Sequence, residues 1–257
     1  MDLGLRGRSF VVGGGARGLG RATADVLVAE GASVLLLGRD ADALESACSA
    51  LGERASWLEA DMADPEFPGQ LREAAEERFG GSLDGLLLNA GGPPPGDALT
   101  LTDEQWRGAY ELLLGGPLRL LRELVPLFSD AASVVWIGSS SWRQPIPGLD
   151  ASNAFRPGIA ALVKVLAREL APRVRFVGMA PGRVDTDRVR SLDSSRAERS
   201  GDSIEDVRAA SEAEIPMGRY GKPEEFGRVA AFLLSPAASY VSGSTVQVDG
   251  ALITALP

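Results

Sequence analysis

Phe10-Val11-Val12-Gly13-Gly14-Gly15-Ala16-Arg17-Gly18-Leu19-Gly20 passes from an apolar run through closely spaced glycines into a helical pattern. Glycines at such a junction allow a tight turn and a close approach of the backbone to a ligand. The helix that follows presents unpaired N–H groups suited to a pyrophosphate. A glycine cluster alone is equally the mark of a plain turn. The strand before it and the helix after it favour a nucleotide site.

Outward from this segment, short apolar runs alternate with longer amphipathic ones. Ser9–Gly13, Ser33–Leu37, Ala55–Ala60, Leu83–Leu88, Ala132–Ile137, Val174–Met179 and Thr245–Val248 read as strands. Their near-continuous apolar character predicts a parallel sheet covered on both faces. Gly18–Glu30, Asp40–Leu51, Glu66–Phe79, Asp103–Leu127, Ala151–Leu170 and Pro223–Leu234 read as helices, with Thr102 and Pro223 as start signals. The expected fold is α/β: a Rossmann-type doubly wound sheet of about seven strands in a single domain, 1–257, with a ligand at its carboxyl edge. Gly91-Gly92-Pro93-Pro94-Pro95-Gly96 predicts a stiff loop. The polar stretch 185–216 reads as either a substrate lid or a partly disordered loop.

Composition narrows the function. Apolar residues make up 45% and charged residues 24% of the 257, which are globular values. The net charge of −9 and the lack of a Lys/Arg-rich run argue against a nucleic-acid partner. With one cysteine, Cys48, and no histidine, neither an intrachain disulfide nor a zinc site is expected. Cys48 reads as a small apolar residue on a helix. Met1 to Arg8 carries no signal-peptide pattern, and no apolar run reaches membrane-spanning length, so a soluble, cytoplasmic protein without a membrane partner is expected.

Gly14-x-x-x-Gly18-x-Gly20, Asp61 closing the third strand, Asn89-Ala90-Gly91, Pro181-Gly182-Arg183-Val184-Asp185-Thr186, Tyr240-Val241-Ser242-Gly243 and Val248-Asp249-Gly250 occur in that order. Together they resemble the short-chain dehydrogenase/reductase family over nearly the whole chain, although Gly13 stands where that family usually has Thr. The resemblance implies a nicotinamide dinucleotide held by Gly14, Arg17, Gly18, Leu19 and Gly20. It adds Asp61 and Met62, then Asn89, Ala90 and Gly91, then Arg156, and finally Pro181, Gly182, Val184 and Thr186. Cofactor choice can be argued physically: where NAD sites place an acid after the second strand, this chain has Gly38 followed by Arg39, and Arg17 lies in the glycine turn. Two guanidiniums suit a 2′-phosphate, so NADP(H) is favoured over NAD(H). The alternative is that Arg17 and Arg39 are solvated charges with Asp40 compensating.

Ala160-Ala161-Leu162-Val163-Lys164-Val165-Leu166-Ala167-Arg168-Glu169-Leu170 matches the continuation of the family's active-site helix and fixes its register. Counting back puts Ser152 at the family's Tyr position and Arg156 at its Lys position, one turn apart. The family's catalytic Ser falls on Ser139 and its Asn on Leu113. A Ser hydroxyl is shorter than a Tyr phenol and far less acidic. Arg156 stays charged and can hold ribose hydroxyls by forked hydrogen bonds. Tyr110, Asp150, Trp142 and Arg143 are the nearest other polar candidates, with core packing the expected place of Tyr110.

The resemblance is nearest to 3-oxoacyl-acyl-carrier-protein reductases, in a divergent subgroup lacking the Tyr-x-x-x-Lys motif. It implies hydride transfer to a carbonyl or from an alcohol, with a small-molecule or acyl-thioester substrate. It also implies a homodimer or homotetramer, packed through the Asp103–Leu127 and Ala151–Leu170 helices and the C-terminal strand. Two other readings stand beside this one: a dinucleotide-binding protein without turnover, serving as a sensor or partner subunit, and an enzyme of altered reaction. The reductase reading requires an open pocket bordered by Ser139 and Ser152, not filled by Phe155, Trp142 or the Pro93–Pro95 loop.

Overall fold

Seven strands, β1 (Ser9–Gly13), β2 (Ser33–Gly38), β3 (Ala55–Glu59), β4 (Leu83–Leu88), β5 (Phe128–Ile137), β6 (Val174–Pro181) and β7 (Thr245–Val248), pair in the order β3-β2-β1-β4-β5-β6-β7. All the pairings are parallel. The chain is seen in a computed structural model that describes residues 2–255. The ends of the expected 1–257 domain, Met1 of the N-terminal segment included, lie outside the described residues. The helices are α1 (Gly18–Ala29), α2 (Ala41–Leu51), α3 (Phe67–Phe79), α4 (Asp103–Tyr110), α5 (Gly116–Leu124), α6 (Asp150–Glu169), α7 (Asp187–Ser200), α8 (Ile204–Ala213) and α9 (Pro223–Leu234).

Two cores explain why the strands read as unbroken apolar runs. Alternate residues leave a strand on opposite faces. Val11, Leu35, Leu86, Val134 and Phe176 meet Leu71, Leu120 and Val163 from α3, α5 and α6. Phe10, Leu36, Leu87, Val135 and Val177 meet Leu27, Leu44 and Phe226 from α1, α2 and α9. Both faces of the central strands are therefore mostly apolar, and the buried Ser133 of β5 is accommodated by donating to the Leu233 carbonyl. Cys48 sits partly buried beside the second core, where burial pushes its thiol above the usual range. It lies outside the cleft described below.

Capping chemistry sets helix starts as the sequence predicts. The Thr102 hydroxyl accepts from Gln105 N while Gln105 accepts from Thr102 N. Pro223 opens α9, and Glu225 accepts from Lys222 N. α6 starts at Asp150, one residue before the expected position.

Two expectations are corrected, for the helix over Asp103–Leu127 and for Tyr110, and the stretch 185–216 gains its secondary structure. The helix expected over Asp103–Leu127 is interrupted by a π-helical segment, Glu111–Gly115. Pro117 has no N–H to give to the ladder, and a side chain at Gly116 would collide with the Met62 carbonyl, so the backbone widens where it presses on that loop. The stretch 185–216 is mostly helical, as α7 and α8, with Thr186 and Ser203 as their caps. Tyr110 is 45% exposed and packs on Phe155 instead of entering the core. The aromatic ring has no room inward, because Ala109 and Leu113 already occupy the buried side of that turn.

α1 and α9 approach closely at Gly227, where a side chain would collide with the Ala22 carbonyl. Gly227→Ala is therefore expected to lower the thermal midpoint by several degrees, a loss of about 1–3 kcal/mol. Gly69→Ala, facing open space in α3, is expected to leave stability unchanged or raise it by about 0.5 kcal/mol. Thermal unfolding of the two variants measures the contrast.

Candidate active-site cleft

The strand order reverses between β1 and β4, so their carboxyl ends part and leave a crevice. Asn89, the first residue after β4, spans that gap: its Nδ2 donates to the Gly13 carbonyl at 3.1 Å. A side chain on Gly14 (φ +62°) would reach within 2.6 Å of the same Nδ2. A side chain on Gly20 would collide with the Gly14 carbonyl. Arg17 caps α1 with extended backbone, and its side chain makes no bond to the helix start, so the first amides of α1 get no acceptor from their N-cap side chain. A close-approach turn, an open amide end and a long cleft beside them fit a dinucleotide.

That cleft measures about 690 Å³. It runs from Arg17, Gly38 and Arg39 past Asn89 and Gly91 to Ser139, Ser152 and Arg156, and it is roofed by the start of α7. Gly14, Gly18, Leu19, Ala90, Pro181, Gly182, Val184 and Thr186 also border it. Gly20, Asp61 and Met62 do not. Gly20 is consumed in the turn's own packing, the Asp61 carboxylate accepts from Ala63 N, and the Met62 carbonyl faces Gly116.

None of the suspected obstructions fills the reacting end. Phe155 packs edge-on against Trp106, with centroids 5.8 Å apart. Trp142 lies over Gly138 and Gly178, whose missing side chains make room for its ring. Pro93 borders the cleft without closing it. Asp150 is spent on Ala98 N and Asn153 Nδ2, and Arg143 donates to the Thr245 hydroxyl at 2.9 Å. At the other end Arg17 pairs with Asp40 on the surface, while Arg39 makes no ion pair among the described residues.

Three hydroxyls and a guanidinium converge at the reacting end. Arg156, 8% exposed, donates from Nε to the Ser152 hydroxyl at 3.0 Å and from Nη1 to the Ile137 carbonyl at 3.5 Å. The Ser152 and Ser141 hydroxyls are 3.1 Å apart. The Ser139 hydroxyl accepts from Ser141 N at 3.1 Å. Every partner of the Arg156 guanidinium is neutral. Burial, with the Arg188 charge nearby, brings it down to about 10, so it stays protonated at neutral pH. Leu113 is buried in the core and offers no polar atom.

Sequence reasoning missed Ser141 and Arg188. Ser141 stood second in line to Ser139 within one serine run, and only the short 3-10 turn Ser140–Trp142 aims it at Ser152. Arg188 stood two residues past Thr186, in a stretch read as loop. The roof carrying it is fastened from below. Arg183 pairs with the buried Asp193 at 2.6 Å, Tyr220 donates to Asp193 at 2.9 Å, and Asp185 takes Arg190 and Arg208. Burial raises the Tyr220 phenol, which keeps it a neutral donor.

A family model described as enoyl-(acyl carrier protein) reductase matches residues 14–252. This chain belongs to the short-chain dehydrogenase/reductase family, whose members are oxidoreductases. It is similar to the 3-oxoacyl-[acyl-carrier-protein] reductase of Salmonella typhimurium, 30% identical over 97% of this chain and 99% of that one. The structure of L-sorbose reductase from Gluconobacter frateurii, complexed with NADPH and L-sorbose, matches with a TM-score of 0.93 at 28% identity over 100% of both chains. A short chain oxidoreductase from Pseudomonas aeruginosa PAO1, described as containing an atypical catalytic center, matches with a TM-score of 0.87 at 33% identity, again over 100% of both chains.

Asp193→Ala leaves Arg183 and Tyr220 without their shared acceptor beneath the roof. The expected loss is roughly 2–4 kcal/mol of stability, with faster proteolytic cleavage within 187–213. Thermal unfolding and timed proteolysis read the two effects separately.

Proposed function

We propose that the chain is an NADP(H)-dependent carbonyl reductase or alcohol dehydrogenase, 3-oxoacyl-acyl-carrier-protein reductase-like, in which Arg156 and Ser152 replace the family's Lys and Tyr. The observation that carries this reading is the open cleft with Ser139, Ser152 and Arg156 together at one end and a dinucleotide cradle at the other. Gly14, Gly18 and Leu19 would hold the pyrophosphate through backbone amides. Asn89, Ala90 and Gly91 would border the middle, and Pro181, Gly182, Val184 and Thr186 the nicotinamide end. The bound cofactor supplies or accepts the hydride.

NADP(H) is favoured because Arg39 has no partner among the described residues, Gly38 puts no carboxylate at the end of β2, and Asp40, the acid that lines this end, is paired with Arg17. The Arg17–Asp40 pair is exposed and screened by solvent, so Arg17 can turn to a phosphate at small cost. NADPH in the G. frateurii L-sorbose reductase supports the same choice.

At the reacting end, Ser152 accepts from Arg156, and its own proton is free for a substrate oxygen when Ser141 is the donor of the bond between the two hydroxyls. Ser139 stands beside it as a second donor. Their task is electrostatic: hydrogen bonds and a desolvated positive charge stabilise the negative charge that grows on the substrate oxygen. Water then supplies the proton, because neither hydroxyl gives one up near neutral pH. α7 and α8 form a lid over 185–216 that excludes bulk water. A homodimer or homotetramer fits the exposed Tyr110 and Val165 on α4 and α6. The described residues contain no helix long and apolar enough to cross a membrane, and a cytoplasmic location completes the proposal.

Fluorescence titration with NADPH, followed by turnover on ketones and 3-oxoacyl thioesters, tests the reading. Arg156→Met is expected to lower kcat about 100-fold or more with NADPH affinity changed far less. The pH profile should be flat from about pH 6 to 9 and fall only as Arg156 loses its proton near 10. The sign follows from the charged form being the active one. Tight NADPH binding without turnover on any substrate would favour a non-catalytic dinucleotide-binding protein instead.

A further inference from the structure

Most charges around the cleft are matched. Arg17 meets Asp40, Arg183 meets Asp193, and Asp187 meets Arg190. Two guanidiniums at the reacting end are not. Arg156 is buried with only a hydroxyl and a carbonyl for partners. Arg188, from the first turn of α7, donates from Nη2 to the Pro93 carbonyl at 3.2 Å, also a neutral acceptor. Arg188 crosses the cleft to reach that carbonyl because Gly92 has no side chain; a Cβ there would lie 2.7 Å from its Nη2.

Arg188 is exposed and lines the same cleft as the buried Arg156, close enough for its charge to lower Arg156. Glu214 is the acid on the cleft wall without a partner among the described residues, and it is exposed and hydrated. A buried cation without a counter-ion carries a desolvation cost that an incoming anion relieves. The neighbouring wall is apolar: Pro145, Ile146, Leu149 and Leu192 line it.

We propose that the substrate is an oxo or hydroxy acid with a hydrocarbon body, its reacting oxygen on Ser152 and Arg156 and its carboxylate on Arg188. A guanidinium fork matches a carboxylate in shape and number of donors, and the Pro93 carbonyl holds that fork ready before the ligand arrives. The hydrocarbon body lies along Ile146, Leu149 and Leu192. Arg188 thus sets specificity, while Arg156 serves both the growing oxyanion and the field that draws an anion in. This inference rests on the oxidoreductase reading of the same cleft.

A 3-oxo acid of six to eight carbons and its methyl ester differ in charge and hardly at all in the reacting carbonyl. Calorimetric titration of each into the NADPH-loaded protein, beside kcat/KM, tests the proposal. In the wild type the acid is expected to bind about tenfold tighter than the ester or better. In Arg188→Met the ratio falls to near one, in Arg188→Lys it recovers in part, and NADPH affinity stays within about twofold in both. Equal binding of acid and ester by the wild type overturns the assignment, as does a ratio that Arg188→Met leaves unchanged. A matched loss of NADPH affinity in Arg188→Met also overturns it, because Arg188 would then serve the cofactor. A wild-type protein that binds no NADPH fails the underlying reading instead, and that result is distinct from each of the others.

Discussion

The hydrogen bond from Asn89 to the Gly13 carbonyl joins two strands where the sheet changes direction, and the site is assembled around it. Beyond that point β1 and β4 diverge, and their last backbone groups lack ladder partners. A side-chain amide satisfies one of them and holds the glycine turn in place. Gly14 must lack a side chain because the amide lies against it, and Gly20 because the turn folds back on its own carbonyl. The open end of α1 is thereby fixed facing the crevice. On the far side of the crevice β5, α6 and the exit of β6 deliver the serines and arginines.

The end of the cleft proposed to react is built from weak acids around one strong cation. A desolvated guanidinium bonded only to neutral oxygens concentrates positive potential where a substrate oxygen would sit. Proton donation and charge stabilisation are separate tasks that a Tyr-Lys pair performs together. Ser152 and Arg156 are suited to the second much more than the first. The chain of Ser141, Ser152 and Arg156 also fixes side-chain rotamers, so the donors are arranged before a ligand arrives.

How much was legible depended on whether a feature was local. The glycine turn, the caps at Thr102 and Pro223, and the position of each strand core rest on neighbours a few residues apart. They read correctly to within a few residues. The π-helical interruption at Glu111–Gly115 did not, because it arises from the Met62 loop pressing on Gly116 across the fold. α7 and α8 were hidden for a related reason. Their faces carry few apolar residues, and they are held by ion pairs from Asp185 and Asp193 that no periodicity reveals. Tyr110 went outward because Ala109 and Leu113 had already filled the inward side.

The sequence by itself determined the architecture and the register. Alternating apolar runs and amphipathic segments admit few packings, and an ungapped helix fixes which residues lie one turn apart. That register puts Ser152 and Arg156 one turn apart, and the resemblance to the family marks them, with Ser139, as site candidates. Only the tertiary structure decided which of the three neighbouring serines faces Ser152, that Asp61 and Met62 are not among the residues lining the cleft, and that Arg188 lines the same cleft as Arg156. Hydrogen bonds and charges act across space, and residues distant in the chain meet only when the layers close.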